Sequence, residues 1–320
     1  MSMKKIIRYN PTLTTLNMGD FIIYDSILNQ MGAIFKDAFN VDVSTHLPIS
    51  YSFTRLLENA DYKFVCGTNL LCGRLNWLYR PWDINIFNAK KLGPAILIGA
   101  GWWQYNSNPN HYTKSVYKKI LSREYMHSVR DNYTKQMLNS IGFDNVICTA
   151  CPTMWSLTKE HCKQIPTKKA ANVVTTITDY NKDADKDREM LNILLNEYET
   201  VYLWLQGVYD YNYIKDLELE NKVKLIPPTL SEYDNILSSG DVDYIGTRLH
   251  GGVRALQKKV RSIIIGVDNR AQEKKKDFNI NVLDRNDIKD LKDMIYSDIR
   301  SDITIPIEEI NRWKAQFDLA

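Results

Sequence analysis

The chain has 320 residues, of which 44% are hydrophobic and 25% charged, and its formal net charge is +3. This is the composition of an ordinary globular protein, and it argues against disorder or a fibrous repeat. The nearly neutral charge argues against a basic surface for nucleic acid, so we expect no nucleic-acid partner.

The length suits two domains of roughly 150 residues each. Apolar runs such as 95–98 and 263–265 are far shorter than the ~20 residues of a membrane-spanning helix, and the first ten residues lack a signal-peptide core. Five cysteines fit reduced thiols better than a disulfide framework. Cys148 and Cys151 form one C-x-x-C pair without a second pair for zinc, and their role stays open. We expect a cytoplasmic protein with no metal and no cofactor.

In the first half, β-branched runs alternate with amphipathic stretches. This pattern predicts strands at residues 5–9, 62–66, 95–98, 126–130 and 145–148. It predicts helices at 21–31 and 132–141, the second ending at Gly142. Such alternation is typical of a parallel sheet with helices on its faces.

A polar stretch at 159–169 predicts the domain linker. Beyond it, the same rhythm predicts strands at 172–177, 200–205, 222–226, 242–245 and 261–265, and a helix at 186–198. The sequence therefore predicts an α/β protein with two Rossmann-like, doubly wound parallel-sheet domains, residues 1–160 and 161–305, that face a cleft. Residues 306–320 are expected to form a helix that packs back across the boundary.

The segment 243–253 carries the clearest chemistry. A predicted strand ends in a Gly-Thr turn, and Arg248 and His250 follow at the edge where parallel sheets bind ligands. Arginine matches phosphate or carboxylate oxygens, and histidine exchanges protons near neutral pH. Gly251 and Gly252 are expected to let a ligand approach a helix start, which favours anions. The alternative is a structural ion pair of Arg248 and a core position for His250.

A second arginine, Arg130, precedes Asp131 where a strand of the first half meets a helix. This pair is either a helix cap with a local ion pair or one arm of an anion clamp whose other arm is Arg248.

Asn17, Gly19 and Asp20 precede the first predicted helix, at the position of a ligand-facing loop. Asp20 is by default the helix N-cap, and Gly19 supplies an unusual backbone angle. The pattern is neither a phosphate-binding P-loop nor a dinucleotide-binding fingerprint.

Trp102 and Trp103 follow two glycines after a predicted strand. At least one of them is expected to line the cleft, where its ring suits a sugar; the alternative is packing between the domains.

Four segments in order, 17–20, 128–131, 151–155 and 246–250, resemble the polysaccharide pyruvyl transferase family over nearly the whole chain. The resemblance implies a fold similar to that of B-type two-domain glycosyltransferases. It also implies transfer of pyruvate from phosphoenolpyruvate onto two sugar hydroxyls, giving a cyclic ketal. One departure is Cys151-Pro152, where many members carry Asp-Pro.

The resemblance implies donor binding by Arg130, Arg248, Leu249 and His250, and the glycines Gly251 and Gly252 are added to this set. As a hypothesis of catalysis, His250 binds the phosphate as imidazolium and assists its departure. The second domain is then the donor side and the first the acceptor side. Asp20 is a candidate for the acid that protonates the donor. Acceptor contacts are assigned to Asn17, Gly19, Trp102 and Trp103.

Two other functions remain open: a nucleotide-sugar-dependent glycosyltransferase and a non-catalytic sugar-binding module. The expected partners are phosphoenolpyruvate and a sugar or lipid-linked oligosaccharide of a capsule or exopolysaccharide. The basic run 274–276 suggests contact with the inner face of a membrane. The acceptor, the ketal stereochemistry and the oligomeric state are not predicted.

Overall fold

The computed structural model describes residues 3–50, 52–76, 80–103, 108–267 and 275–317. The chain divides into two compact units. The first comprises Met1–Thr15, Ile23–Trp155 and Pro306–Ala320, and the second comprises Leu16–Ile22 and Ser156–Ile305. Each contains parallel sheets with helices between the strands, which confirms the predicted α/β class.

The strands of the first unit are β1 (Lys4–Asn10), β2 (Ala38–Ser44), β3 (Tyr62–Cys66), β4 (Ile96–Ile98), β5 (His127–Val129) and β6 (Val146–Cys148). Its helices are α1 (Met18–Gln30), α2 (Gly32–Lys36), α3 (Thr54–Leu57), α4 (Ala89–Leu92), α5 (His111–Ile120), α6 (Asn132–Ile141) and, after the second unit, α13 (Ile307–Ala315); a 3-10 turn spans Pro152–Met154. By the division above, α1 begins in the second unit and continues in the first.

The larger sheet of the first unit has the order β2-β1-β3-β4, and β5 and β6 form a two-stranded sheet. A parallel bridge between Ala100 and Val129 connects the segment after β4 to β5. Strand β3, inside this sheet, and β4, at its edge, are almost entirely buried, as expected for parallel strands covered by helices. The strand order reverses between β1 and β3.

The strands of the second unit are β7 (Asn172–Thr175), β8 (Thr200–Trp204), β9 (Lys224–Ile226), β10 (Val242–Gly246), β11 (Ser262–Gly266) and β12 (Val282–Asp284). Its helices are α7 (Lys159–Cys162), α8 (Ala184–Glu197), α9 (Asp210–Asp216), α10 (Leu230–Leu237), α11 (Leu249–Gln257) and α12 (Leu291–Tyr296), with a 3-10 segment at Arg285–Asp290.

The six strands of this unit form one parallel sheet in the order β12-β11-β10-β7-β8-β9. The chain fills one half of the sheet from β7 to β9 and then returns to β10 on the other side of β7. The order therefore reverses between β7 and β10, and ligands of doubly wound sheets bind at the carboxyl ends of the strands at such a point.

Sequence patterns missed β2 and β12, which both lie at sheet edges. In β2, Phe39 is exposed and polar residues interrupt the β-branched ones, so the strand lacks the apolar run of a central strand. The stretch predicted as an irregular linker contains α7, which Thr158 caps by accepting a hydrogen bond from the backbone N of His161 at 3.2 Å.

Helix α13 packs within the first unit. The ring of Phe317, just beyond the helix, meets the rings of Tyr62 and Phe64 at 5.5 and 5.2 Å between centroids. The indole Nε1 of Trp313 donates to the backbone oxygen of Met126 at 2.8 Å. These contacts hold the C-terminal segment to the strands of this unit.

His127, in β5, is fully buried. Its Nδ1 accepts from the backbone N of Leu97 at 3.2 Å, and its Nε2 lies 2.9 Å from the backbone oxygen of Ser122. Burial lowers the pKa of His127 from 6.5 to about 4. The ring therefore acts as a structural link between strands and not as a proton carrier at neutral pH.

Below pH 6.5 the histidine of the unfolded chain binds a proton, whereas folded His127 stays neutral until about pH 4. His127 therefore leaves the free energy of unfolding unaffected above pH 6.5 and lowers it as the pH falls from 6.5 towards 4. We expect the free energy of unfolding of the full chain, measured in urea, to decline less steeply over this window in His127→Gln. His111→Gln, a change at an exposed residue of the same unit, should keep the wild-type slope. Equal slopes for all three proteins would contradict the assignment.

Candidate functional site

Three segments meet at the carboxyl edge of the second sheet, where β10, β7 and β8 are neighbours. The chain continues from β7 through Thr176 and Asp179, from β8 through Gln206, and from β10 through Thr247 and Arg248. This is the edge at which the strand order reverses, so it is the position that the fold favours for a ligand.

Arg248 lies at the centre of this edge and is only 4% exposed. Its Nη2 donates to Asp179 Oδ1 at 2.6 Å and also to Asp210 Oδ1, and its Nε donates to the backbone oxygen of Ile177 at 3.0 Å. We call Arg248, Asp179 and Asp210 the buried ion trio. One guanidinium group thus ties together the segments that follow β7, β8 and β10.

Asp210 is completely buried and accepts hydrogen bonds on both oxygens. Its Oδ2 accepts from the backbone N of Gln206 at 3.0 Å and of Gly207 at 2.7 Å. Burial is the largest single influence and lowers the pKa of Arg248, but the charges of Asp210, Tyr180 and Asp179 and the hydrogen bond to Asp210 together outweigh burial and raise the pKa. Arg248 therefore stays protonated, and its charge is balanced by carboxylates of its own unit.

The ends of β7 and β10 pack against each other without space for a side chain between them. A Cβ on Gly246 would lie 2.5 Å from Thr176 Oγ1. The hydroxyl of Tyr244 lies 2.7 Å from the same oxygen and donates to the backbone oxygen of Arg248 at 2.8 Å. The direction of the chain at Arg248 is thereby fixed before α11 begins.

Helix α11 starts directly after Arg248, whose side chain makes no capping hydrogen bond because it is turned towards the ion trio. His250 is the second residue of the helix and is partly exposed. Backbone N–H groups of a helix start and its dipole favour an anion, and a protonated imidazole adds a charge. The start of α11 combines these features.

Gly251 and Gly252 have a packing role that the sequence did not reveal. A Cβ on Gly252 would lie 2.5 Å from Ile264 Cγ1 and 2.8 Å from Tyr244 Cε1, and one on Gly251 would lie 3.2 Å from Gln206 Oε1. Both glycines are buried. They let α11 approach the sheet closely. The sequence had instead suggested that these glycines let a ligand approach the helix.

The N-terminal motif belongs to this unit as well. Asn17 Oδ1 accepts hydrogen bonds from the backbone N of Gly19 at 3.0 Å and from Gln206 Nε2 at 3.2 Å. The backbone N of Met18 donates to the backbone oxygen of Gln206 at 2.8 Å. Asn17, and not Asp20, therefore caps α1. Asp20 is the third residue of the helix and is buried.

In the first unit, Arg130 follows β5 and is 7% exposed. Its Nε donates to Asp131 Oδ2 at 3.0 Å, and Asp131 Oδ1 accepts from the backbone N of Thr134 at 2.7 Å as the cap of α6. The cap and the local ion pair are thus both formed. The guanidinium lies against Gly101, where an added Cβ would lie 2.2 Å from Arg130 Nε. An anion clamp that joins Arg130 and Arg248 stays a prediction.

The two tryptophans have different environments. Trp102 is 1% exposed and lies in the core of the first unit, with its ring 6.2 Å from that of Tyr117. It therefore cannot present a ring face to a sugar, contrary to a role in acceptor binding. Trp103 is partly buried against the same core.

Sequence reasoning missed Asp179, Gln206 and Asp210. Each follows a predicted strand of the second half by a few residues, which was the available signal.

Among the described residues, no group of three or more His, Cys, Asp or Glu side chains could hold a metal ion. In the same residues, no helix is long and apolar enough to cross a membrane. Of the basic run 274–276, Lys274 lies outside the described residues, and Lys275 and Lys276 are exposed.

The family model for polysaccharide pyruvyl transferase matches residues 17–269, a span that includes Asn17, Arg130, Arg248 and His250. The chain belongs to the polysaccharide pyruvyl transferase family. This confirms the resemblance drawn from the four sequence segments. A comparison with curated proteins finds no match.

Solved structures show the same fold at low sequence identity. UDP-GlcNAc 2-epimerase of Methanocaldococcus jannaschii, in complex with UDP-GlcNAc and UDP, is 13% identical with a TM-score of 0.53, covering 99% of this chain and 100% of the epimerase. A further UDP-N-acetylglucosamine 2-epimerase is 10% identical with a TM-score of 0.51, covering 98% of this chain and 90% of the other. The predicted similarity to B-type two-domain sugar enzymes is confirmed at the level of the fold.

The close approach of α11 to the sheet makes Gly252 sensitive to substitution. We expect Gly252→Ala to lower the free energy of unfolding by about 1–3 kcal/mol, because the added methyl group overpacks the contact with Ile264 and Tyr244. The matched control is Gly32→Ala, since nothing lies within 4 Å of the added carbon there. A variant at Gly252 as stable as the control would contradict this packing.

Removal of one charge from the ion trio should destabilise the folded protein. We expect Asp210→Asn to lower the free energy of unfolding by about 3 kcal/mol, because it breaks a buried pair on Arg248. Asp216→Asn, at the other end of α9, changes a side chain that is 65% exposed and should alter stability by less than about 0.5 kcal/mol. Thermal or urea unfolding of both variants measures the difference; equal losses would refute the structural importance of the trio.

Proposed function

We propose that this protein transfers pyruvate from phosphoenolpyruvate onto two hydroxyls of a sugar in a surface polysaccharide or its lipid-linked precursor, forming a cyclic ketal. The observation that carries the proposal is the position of Arg248, Leu249 and His250 in a chain of this family. They stand where β10 ends and α11 begins, beside β7, where the strand order reverses.

The start of α11 suits the phosphate of the donor. Backbone N–H groups of its first turn supply hydrogen bonds, and His250 as imidazolium adds a charge that moves with a proton. The charge of Arg248 is already balanced by Asp179 and Asp210. We therefore assign Arg248 first to positioning this turn; direct contact of Arg248, Leu249 or Arg130 with the donor stays a prediction.

The reaction can be written with each bond accounted for. An acid protonates the methylene carbon of the donor, so that C2 becomes an oxocarbenium-like electrophile. One sugar hydroxyl forms a C–O bond to C2 and loses its proton. The bond from C2 to the phosphate oxygen then breaks, with His250 stabilising the departing phosphate, and the second hydroxyl attacks C2 and loses its proton to close the ketal.

Asp20 remains the proposed acid. It lies in the first turn of α1, in the same unit as His250, and its helix is anchored through Asn17 to Gln206 at the carboxyl end of β8. Asn17 and Gly19 hold this helix start and are proposed to lie near the acceptor.

The proposal is tested by incubating the protein with phosphoenolpyruvate and free or lipid-linked oligosaccharides. We expect release of inorganic phosphate together with the mass gain of one pyruvyl ketal on the sugar. His250→Ala should lower kcat by on the order of a hundredfold or more, because the leaving phosphate loses its proton donor. The control is His111→Ala, at an exposed residue of the first unit, which should retain activity.

The alternative function, a nucleotide-sugar-dependent glycosyltransferase, differs from pyruvyl transfer in the donor that the protein binds. The similar epimerase was solved with UDP-GlcNAc and UDP. Stabilisation of the protein against heat by phosphoenolpyruvate but not by nucleotide diphosphate sugars supports pyruvyl transfer, and the reverse result refutes it. Sugar binding without phosphate release would instead indicate a non-catalytic sugar-binding module.

A further inference from the structure

Exposed aromatic and apolar side chains concentrate at the carboxyl edge of the second sheet. Among the described residues of the second unit, seven large hydrophobic side chains are exposed, and five of them belong to the segments around this edge: Leu16, Tyr180, Val208, Tyr209 and Tyr211. Leu16 joins the group because its neighbour Asn17 is bridged to Gly207. Such a concentration of exposed apolar surface indicates a binding surface.

The buried ion trio connects the two segments that carry two of these tyrosines. Tyr180 directly follows Asp179, Tyr209 directly precedes Asp210, and both carboxylates bind the same Nη2 of Arg248. The guanidinium carbon of Arg248 lies 5.0 Å from the centre of the Tyr180 ring. The two side chains nevertheless remain 57% and 60% exposed.

A hydrogen-bond acceptor directly precedes Tyr180 in the chain, and Arg248 links it to the segment that carries Tyr209. Asp179 Oδ1 is held by Arg248, and in the part of the chain that the structure describes no donor is found for Asp179 Oδ2. Its side chain is 15% exposed. The edge thus offers aromatic faces together with a fixed carboxylate oxygen.

This combination is the chemistry of a pyranose site. A pyranose ring has an apolar face of C–H bonds that packs on an aromatic ring, and hydroxyls on its perimeter that donate to a carboxylate. An anionic ligand is disfavoured next to Asp179, since the trio already contains two carboxylates for one guanidinium. A neutral sugar ring fits both features.

We propose that Tyr180 and Tyr209 form a subsite for the neutral hexopyranose ring of the acceptor, with Asp179 Oδ2 accepting one of its hydroxyls. That the sugar is the acceptor rests on the proposed function; binding of the sugar does not. The subsite takes the role that Trp102 cannot fill from its position in a core.

The experiment measures binding of methyl hexopyranosides with gluco, galacto and manno configuration to the full-length protein, by saturation-transfer NMR without phosphoenolpyruvate. We expect the ring C–H protons of at least one sugar to receive saturation. Tyr180→Ala and Tyr209→Ala should each raise its Kd about tenfold, the loss expected for one aromatic contact. Tyr180→Phe and Tyr209→Phe keep the ring and should bind like the wild type.

Tyr296→Ala is the matched control. Tyr296 is 62% exposed, lies in the same unit at the end of α12 and donates to Glu197 at 2.7 Å, far along the chain from the edge segments. Its variant should leave sugar binding unchanged. If no hexopyranoside binds, or if both edge alanine variants bind as the wild type does, the subsite is refuted.

The subsite and the proposed function can fail separately. Sugar binding that depends on Tyr180 and Tyr209, in a protein that releases no phosphate from phosphoenolpyruvate, retains the subsite and refutes pyruvyl transfer. Pyruvyl transfer in which Tyr180→Ala and Tyr209→Ala leave the KM for the sugar unchanged retains the function and refutes the subsite.

Discussion

Burying a guanidinium group requires counter-charges and hydrogen-bond acceptors, because an unpaired charge away from water is strongly unfavourable. Arg248 meets this requirement with Asp179, Asp210 and a backbone oxygen. Asp179 and the backbone oxygen of Ile177 follow β7, Asp210 follows β8, and Arg248 itself follows β10. The paths of the three segments at the sheet edge are therefore coupled through one side chain, and the start of α11 depends on the same contacts.

The same contacts divide the chemistry of the edge into two parts. The charge of Arg248 is compensated within the protein, so the start of α11 and His250 are left as the groups that favour an anion. On the side of Asp179, the excess carboxylate and the exposed tyrosines favour a neutral, hydroxyl-bearing ligand. In the proposed reaction, a donor with a phosphate and an acceptor sugar would thus find different surroundings within one unit.

Both units place an arginine where a strand ends and a helix begins, but they balance it differently. Arg130 is paired with Asp131, its neighbour in sequence, which also caps α6. Arg248 is paired with Asp179 and Asp210, both distant in sequence. The local pair could be foreseen from the two adjacent residues, whereas the trio depends on strand pairing between β10, β7 and β8.

Local sequence determined the strands with apolar runs and the helices with clear end signals. Tyr62–Cys66 and Asn132–Ile141 agree with their predicted bounds, because an apolar run of β-branched and aromatic residues and a helix closed by Gly142 are set by neighbouring residues. The four family segments likewise identified the family, since they are read directly from residue order. Edge strand β2 was missed because half-exposed strands lack that apolar signal.

Only the tertiary structure decided the surroundings of the site. Asn17 rather than Asp20 caps α1, Trp102 is enclosed in a core, and Gly252 serves packing against Ile264. The partners of Arg248 could not be predicted from the sequence either. The physical reason is that burial and ion pairing depend on which strand ends become neighbours in a sheet, and this order follows from long-range pairing that residue type and spacing do not encode locally.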